Sequence, residues 1–90
     1  VVDKPAPRGH PPTMNTADAA ARLEALGNPT RLSIYRLLVR AGDGGMPVGR
    51  IQEQLGLAAS TLSHHLKSLL IVGLVTQERD SRILIIIPES

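Results

Sequence analysis

The stretch from Pro47 to Gly73 constrains this chain most, because its apolar residues fall on one side only if it folds as two helices with a bend between them. Val48, Ile51 and Leu55 recur at helical spacing up to Gly56, the residue expected in left-handed conformation just past a helix end. Leu57-Ala58-Ala59 reads as a turn, and Leu62, Leu66 and Leu69 then restart the stripe, which Gly73 closes. Pro47 is expected to open the first of these helices. Two short amphipathic helices joined this way form a helix-turn-helix. The outer side of the second helix carries Ser60, Thr61, Ser63, His64, Lys67 and Ser68. Small hydroxyls let a helix backbone come close to base edges and phosphates, so the face suits a major groove. Taken on periodicity alone, an ordinary solvated helix surface fits slightly better.

Two helices are expected before this stretch. Thr16 is a plausible N-cap with Asp18 in the first turn, and Ala19, Leu23 and Leu26 share one face up to Gly27. Asn28-Pro29 is a strong start for the next, with Asn as cap and Pro at the first helical position. Its buried row is Ile34, Leu38 and Ala41, widened by Leu37, and Gly42 ends it before the flexible Asp43-Gly44-Gly45. Ahead of both, residues 1–15 contain four prolines and no apolar periodicity. They are expected to be a disordered tail, dispensable or artificial, with Met14 near the natural start and residues 16–90 as the folded domain.

After Gly73 the period changes from helical to alternating. Leu74–Glu78 and Arg82–Ile87 are β-prone, with Arg79-Asp80-Ser81 as the expected turn, so a hairpin carries Arg79 and Arg82 at its tip. Cations there suit a minor groove or its flanking backbone. The competing reading pairs Arg79 with Glu78 or Asp80, an exposed contact of about 0–1 kcal/mol.

Charge adds little: from Pro47 to Arg82 the basic residues are Arg50, Lys67, Arg79 and Arg82 against Glu53, Glu78 and Asp80, a net +1. Tyr35 is the only aromatic residue, which argues against base stacking on aromatic platforms and so against single-strand binding of that kind. The absence of Cys removes disulfides and thiolate metal sites. Adjacent helical residues point about 100° apart, so His64 and His65 do not converge on one ion, and His65 is expected half-buried with a hydrogen-bond partner. Neither a Gly-rich phosphate loop after a strand nor a supported nucleophile–base arrangement is present, which disfavours an enzyme.

The run Ala25-Leu26-Gly27-Asn28-Pro29-Thr30-Arg31-Leu32-Ser33-Ile34-Tyr35-Arg36-Leu37-Leu38 closely resembles the signature second helix of ArsR/SmtB-type bacterial repressors. Ser60–Lys67 resembles their recognition helix, and Gly73-Leu74-Val75 followed by Arg79–Arg82 their wing. The likeness spans Ala17 to Pro88. It implies a mainly α winged helix with a small β-hairpin, in the order α-α-α-α-β-β, here without the family's usual C-terminal helix. It further implies a cytoplasmic homodimeric repressor on an inverted-repeat operator in double-stranded DNA, released by a metal, metalloid or redox signal. Expected DNA contacts are Ser60, Thr61, Ser63, His64, Lys67, Arg79 and Arg82, with Arg31 and Arg50 as weaker candidates for backbone contact. No cofactor, catalytic residue, metal ligand or membrane contact is expected. The alternative function is a winged-helix protein-interaction module without DNA binding.

Overall fold

The computed structural model describes residues 15–89, and the expectation of a disordered tail over residues 1–15 falls almost wholly outside them. The elements run α1 (Thr16–Leu26), α2 (Pro29–Ala41), β1 (Met46–Pro47), α3 (Val48–Leu55), α4 (Ala59–Ile71), β2 (Val75–Asp80) and β3 (Ile83–Pro88). This is the winged helix expected from the sequence, with one added strand.

Each helix end has a local cause. The cap of α1 is Asn15 rather than Thr16: its side-chain oxygen accepts from the Asp18 amide at 2.8 Å, and Thr16 becomes the first helical residue. Asn is the stronger capping residue, so the helix starts one position earlier than Thr16 alone would set it. Asn28 caps α2 in the same way, accepting from the Arg31 amide at 3.0 Å with Pro29 behind it. At the far end of α3, Gly56 takes the left-handed conformation (φ 64°, ψ 34°) and returns its N–H to the Gln52 carbonyl.

The core is wholly aliphatic. Ala25, Ile34, Leu38, Ile51, Leu62, Leu66, Leu69, Leu74, Val75 and Ile86 are buried, and no polar or charged residue joins them among the described residues. Two expected stripe positions lie elsewhere. Leu23 is 70% exposed, and Ala25 supplies the contact of α1 instead. Ala41, at the last position of α2, is exposed as well.

The sheet departs most from expectation. Pro47 does not begin a helix but pairs with Ile85 while Met46 pairs with Ile86, and the three strands order as β1-β3-β2. Pro47 then serves as the N-cap of α3 without a side-chain cap bond. Proline is tolerated in β1 because that strand lies at the sheet edge. β3 is the central strand and carries the unbroken apolar run Ile83 to Ile87, of which Ile86 is fully buried and Ile83 exposed. The β2–β3 turn is Ser81-Arg82, not Arg79–Ser81: Arg79 pairs with Leu84 and Asp80 with Ile83, and Ser81 takes φ 62°. Tight two-residue hairpin turns match strand twist, so the ladder extends to Asp80.

Gly45 makes the β1–β3 pairing possible. It sits at φ 72°, and a Cβ built there would overlap the carbonyl oxygen of Ile86. Gly49, by contrast, faces open space within α3. Gly45→Ala is therefore expected to destabilise the protein by about 2–4 kcal/mol, while Gly49→Ala adds up to about 1 kcal/mol of helix propensity. Urea denaturation of the two variants checks both; equal midpoints would refute this account of the strand.

Candidate nucleic-acid interface

Helix α4 is held by Leu62, Leu66 and Leu69, all buried, which turns the opposite side of the helix outward. Ser60, Thr61, Ser63, His64 and Lys67 are exposed, as expected. The cap residue Ala58 offers no side-chain bond, so the first amides of α4 point to solvent beside the hydroxyls of Ser60 and Thr61. Ser68 departs from expectation: it is half-buried on the α1 side, and its hydroxyl donates to the His64 carbonyl at 3.4 Å.

The wing arginines separate. Arg82 lies in the turn itself, and it borders a cleft with Arg50, Glu53 and the start of α3. Arg79 lies on β2, two residues before Ser81, on the same side of the strand as Gln77. No ion pair joins Arg79 to Glu78 or Asp80 among the described residues, because neighbours along a strand point to opposite faces. The ion pair that does form is Arg50–Glu53, at 4.0 Å with both side chains exposed.

Arg31 does not face outward as a backbone contact would. Its Nε donates to the Ala25 carbonyl at 2.7 Å, and its Nη1 lies 3.5 Å from Nδ1 of His65. Arg31 thus links the end of α1, the start of α2 and the middle of α4. The guanidinium can only donate, so His65 accepts on Nδ1 and carries its proton on Nε2. Partial burial, then Arg31, then His64 lower the pKa of His65 below its ordinary 6.5. A second tie runs from Arg22 Nε to the Val72 carbonyl at 2.9 Å, joining α1 to the end of α4.

A helix-turn-helix whose second helix shows a polar face and an adjoining wing together define a winged-helix domain. Residues 26–78 match the family model described as a helix-turn-helix domain. The chain is 38% identical over 66 residues to the transcriptional regulator NmtR of Mycobacterium tuberculosis, covering 73% of this chain and 52% of that one. It is 38% identical over 64 residues to YgaV of Escherichia coli, covering 71% of this chain and 63% of that one. Among solved structures, HlyU from Vibrio cholerae N16961 superposes with a TM-score of 0.76 at 32% identity, covering 83% of this chain and 78% of that one. The transcriptional repressor BigR from Xylella fastidiosa gives 0.73 at 28% identity, covering 82% and 72%. The chain belongs to the ArsR-type family of helix-turn-helix transcriptional regulators, which are not enzymes. It spans about half the length of NmtR.

The lowered pKa of His65 fixes the sign of a pH effect. A fold that favours the neutral ring has its full stability above pH 6.5 and loses some as pH falls through that value toward the folded pKa. His65→Gln is expected to flatten this part of the stability–pH curve, measured by urea denaturation between neutral and mildly acidic pH. An unchanged slope would refute the linkage.

Proposed function

We infer that this chain is a repressor that binds double-stranded DNA as a homodimer, with α4 in the major groove and the wing beside it. The observation that carries the reading is the continuous exposed face of Ser60, Thr61, Ser63, His64 and Lys67 on α4, with the exposed cations Arg79 and Arg82 on the wing. Hydroxyls, imidazole and ammonium offer donors to base edges and phosphates. Two-fold symmetry then calls for an inverted-repeat operator with half-sites about one helical turn apart. Exposed Leu23 on α1, together with Ile71 at the end of α4, supports self-association, because large aliphatic side chains left bare favour a partner surface.

A metal, metalloid or redox signal enters this reading through the family resemblance alone. The chain contains no Cys, and among the described residues no group of three or more His, Asp or Glu is placed to hold an ion. The reading keeps the sequence-based expectation of no cofactor. It places the protein with the DNA in the cytoplasm; among the described residues no helix is long and apolar enough to cross a membrane.

The test is operator binding by the Ser63→Ala/His64→Ala double variant. Loss of two groove contacts is expected to weaken specific binding by about 30- to 30,000-fold per half-site, at roughly 1–3 kcal/mol for each contact. Sedimentation with and without operator reads the dimer in the same series. A double variant that binds as tightly as the parent would sink the assignment of the α4 face. A parent that shows no salt-dependent binding to any duplex would favour the interaction module instead.

A further inference from the structure

Between α4 and the wing lies a narrow cleft that the sequence reading did not single out. Its floor is apolar, formed by Val48, Leu66, Leu70, Leu84 and Ile86, and its rim is polar. Ser63 and Lys67 stand on the α4 side and Gln77 on the wing side, all three exposed. At about 190 Å³ the cleft is smaller than the few hundred Å³ a small-molecule site usually needs.

The strand register explains why Gln77 stands there. Gln77 pairs with Ile86 and Arg79 with Leu84, and both of those partners belong to the cleft floor. Alternation along β2 therefore turns Gln77 and Arg79 toward α4, while Thr76, Glu78 and Asp80 face away. Thr76 is engaged on that far side, donating to the Glu89 carboxylate at 3.0 Å. The wing thus sorts its charge: donors toward the recognition helix, carboxylates away from it.

We propose that Gln77 is a DNA-backbone contact, its amide N–H donating to a phosphate that Lys67 holds from the opposite wall of the cleft. This rests on the DNA-binding reading above. A duplex with α4 in its major groove and the wing in the next minor groove must carry its sugar–phosphate ridge between helix and wing. The cleft lies on that path, and all three of its rim residues can donate. Nothing anionic faces the ridge from β2, since Glu78 and Asp80 are on the other face. A neutral amide on a β-strand is less mobile than a lysine and fixes the register of the ridge rather than merely attracting it.

The probe is a random-sequence duplex of about three helical turns, titrated across a salt series, because a phosphate contact is independent of sequence. Gln77→Ala is expected to bind about tenfold more weakly than the parent at every salt concentration. Its salt dependence should match the parent's, since removing a neutral amide releases no counterion, whereas Lys67→Ala, present in both subunits of the proposed dimer, should lower the slope by about two. Gln77→Glu, which sets a carboxylate against the phosphate, should bind more weakly still. Thr76→Ala, on the far face, should bind as the parent does. Thermal unfolding of each variant establishes that the exposed substitutions leave the fold intact. Parent-like binding by Gln77→Ala, or Gln77→Glu binding no worse than Gln77→Ala, overturns the inference while leaving the DNA-binding reading in place. A parent without salt-dependent binding overturns both.

Discussion

Everything in this fold is arranged to cover one side of α4. Leu62, Leu66 and Leu69 cannot be left in water: α1, α2 and β2 pack directly against α4, and Ala25, Ile34, Leu38, Ile51, Val75 and Ile86 join its leucines in one buried cluster. Each fully buried aliphatic side chain contributes about 1.5–3 kcal/mol, so a domain this small has little reserve for leaving any of them uncovered. The polar face of α4 is the consequence. Once the leucines are committed inward, helical geometry dictates that Ser60, Ser63, His64 and Lys67 are displayed.

Polar contacts do a different job here from the apolar core. The core has no buried polar group among the described residues, and the hydrogen bonds of the side chains lie at its edges. Arg31 and Arg22 close the open carbonyl ends of α1 and α4, groups that a helix cannot satisfy by itself. Both arginines also reach across to a different helix, so a capping bond doubles as a fixed angle between elements. With His65 as its further contact, Arg31 ties α4 to the α1–α2 junction.

Most of the helical architecture was legible because it is written in local chemistry. Asn28-Pro29, Gly56 and the leucine spacing of α4 each specify a start, a stop or a face without knowledge of the rest of the chain. What was not legible depended on long-range pairing. A two-residue strand such as Met46-Pro47 has no period of its own, and only the Ile85–Ile86 backbone beside it makes it a strand. The turn at Ser81-Arg82 shifted because the ladder gains by continuing to Asp80, a choice the sequence can only suggest. Within the candidate site, the α4 residues could be read from periodicity. Gln77 could not, since its position relative to Lys67 follows from the sheet register.

The short β1 strand has a consequence for how such a protein would choose among DNA sequences. By pairing Met46 and Pro47 with the central strand, it joins the base of the wing directly to the first residue of α3. Helix-turn-helix and wing are thereby tied by backbone pairing at the wing's base, which restrains the separation of their two measuring points. A duplex whose groove widths differ from that separation must deform to fit, and deformation is easier for some base steps than for others. For a protein that binds as proposed, discrimination would extend to base pairs that no side chain reaches, set by the stiffness of the DNA rather than by its hydrogen-bonding edges.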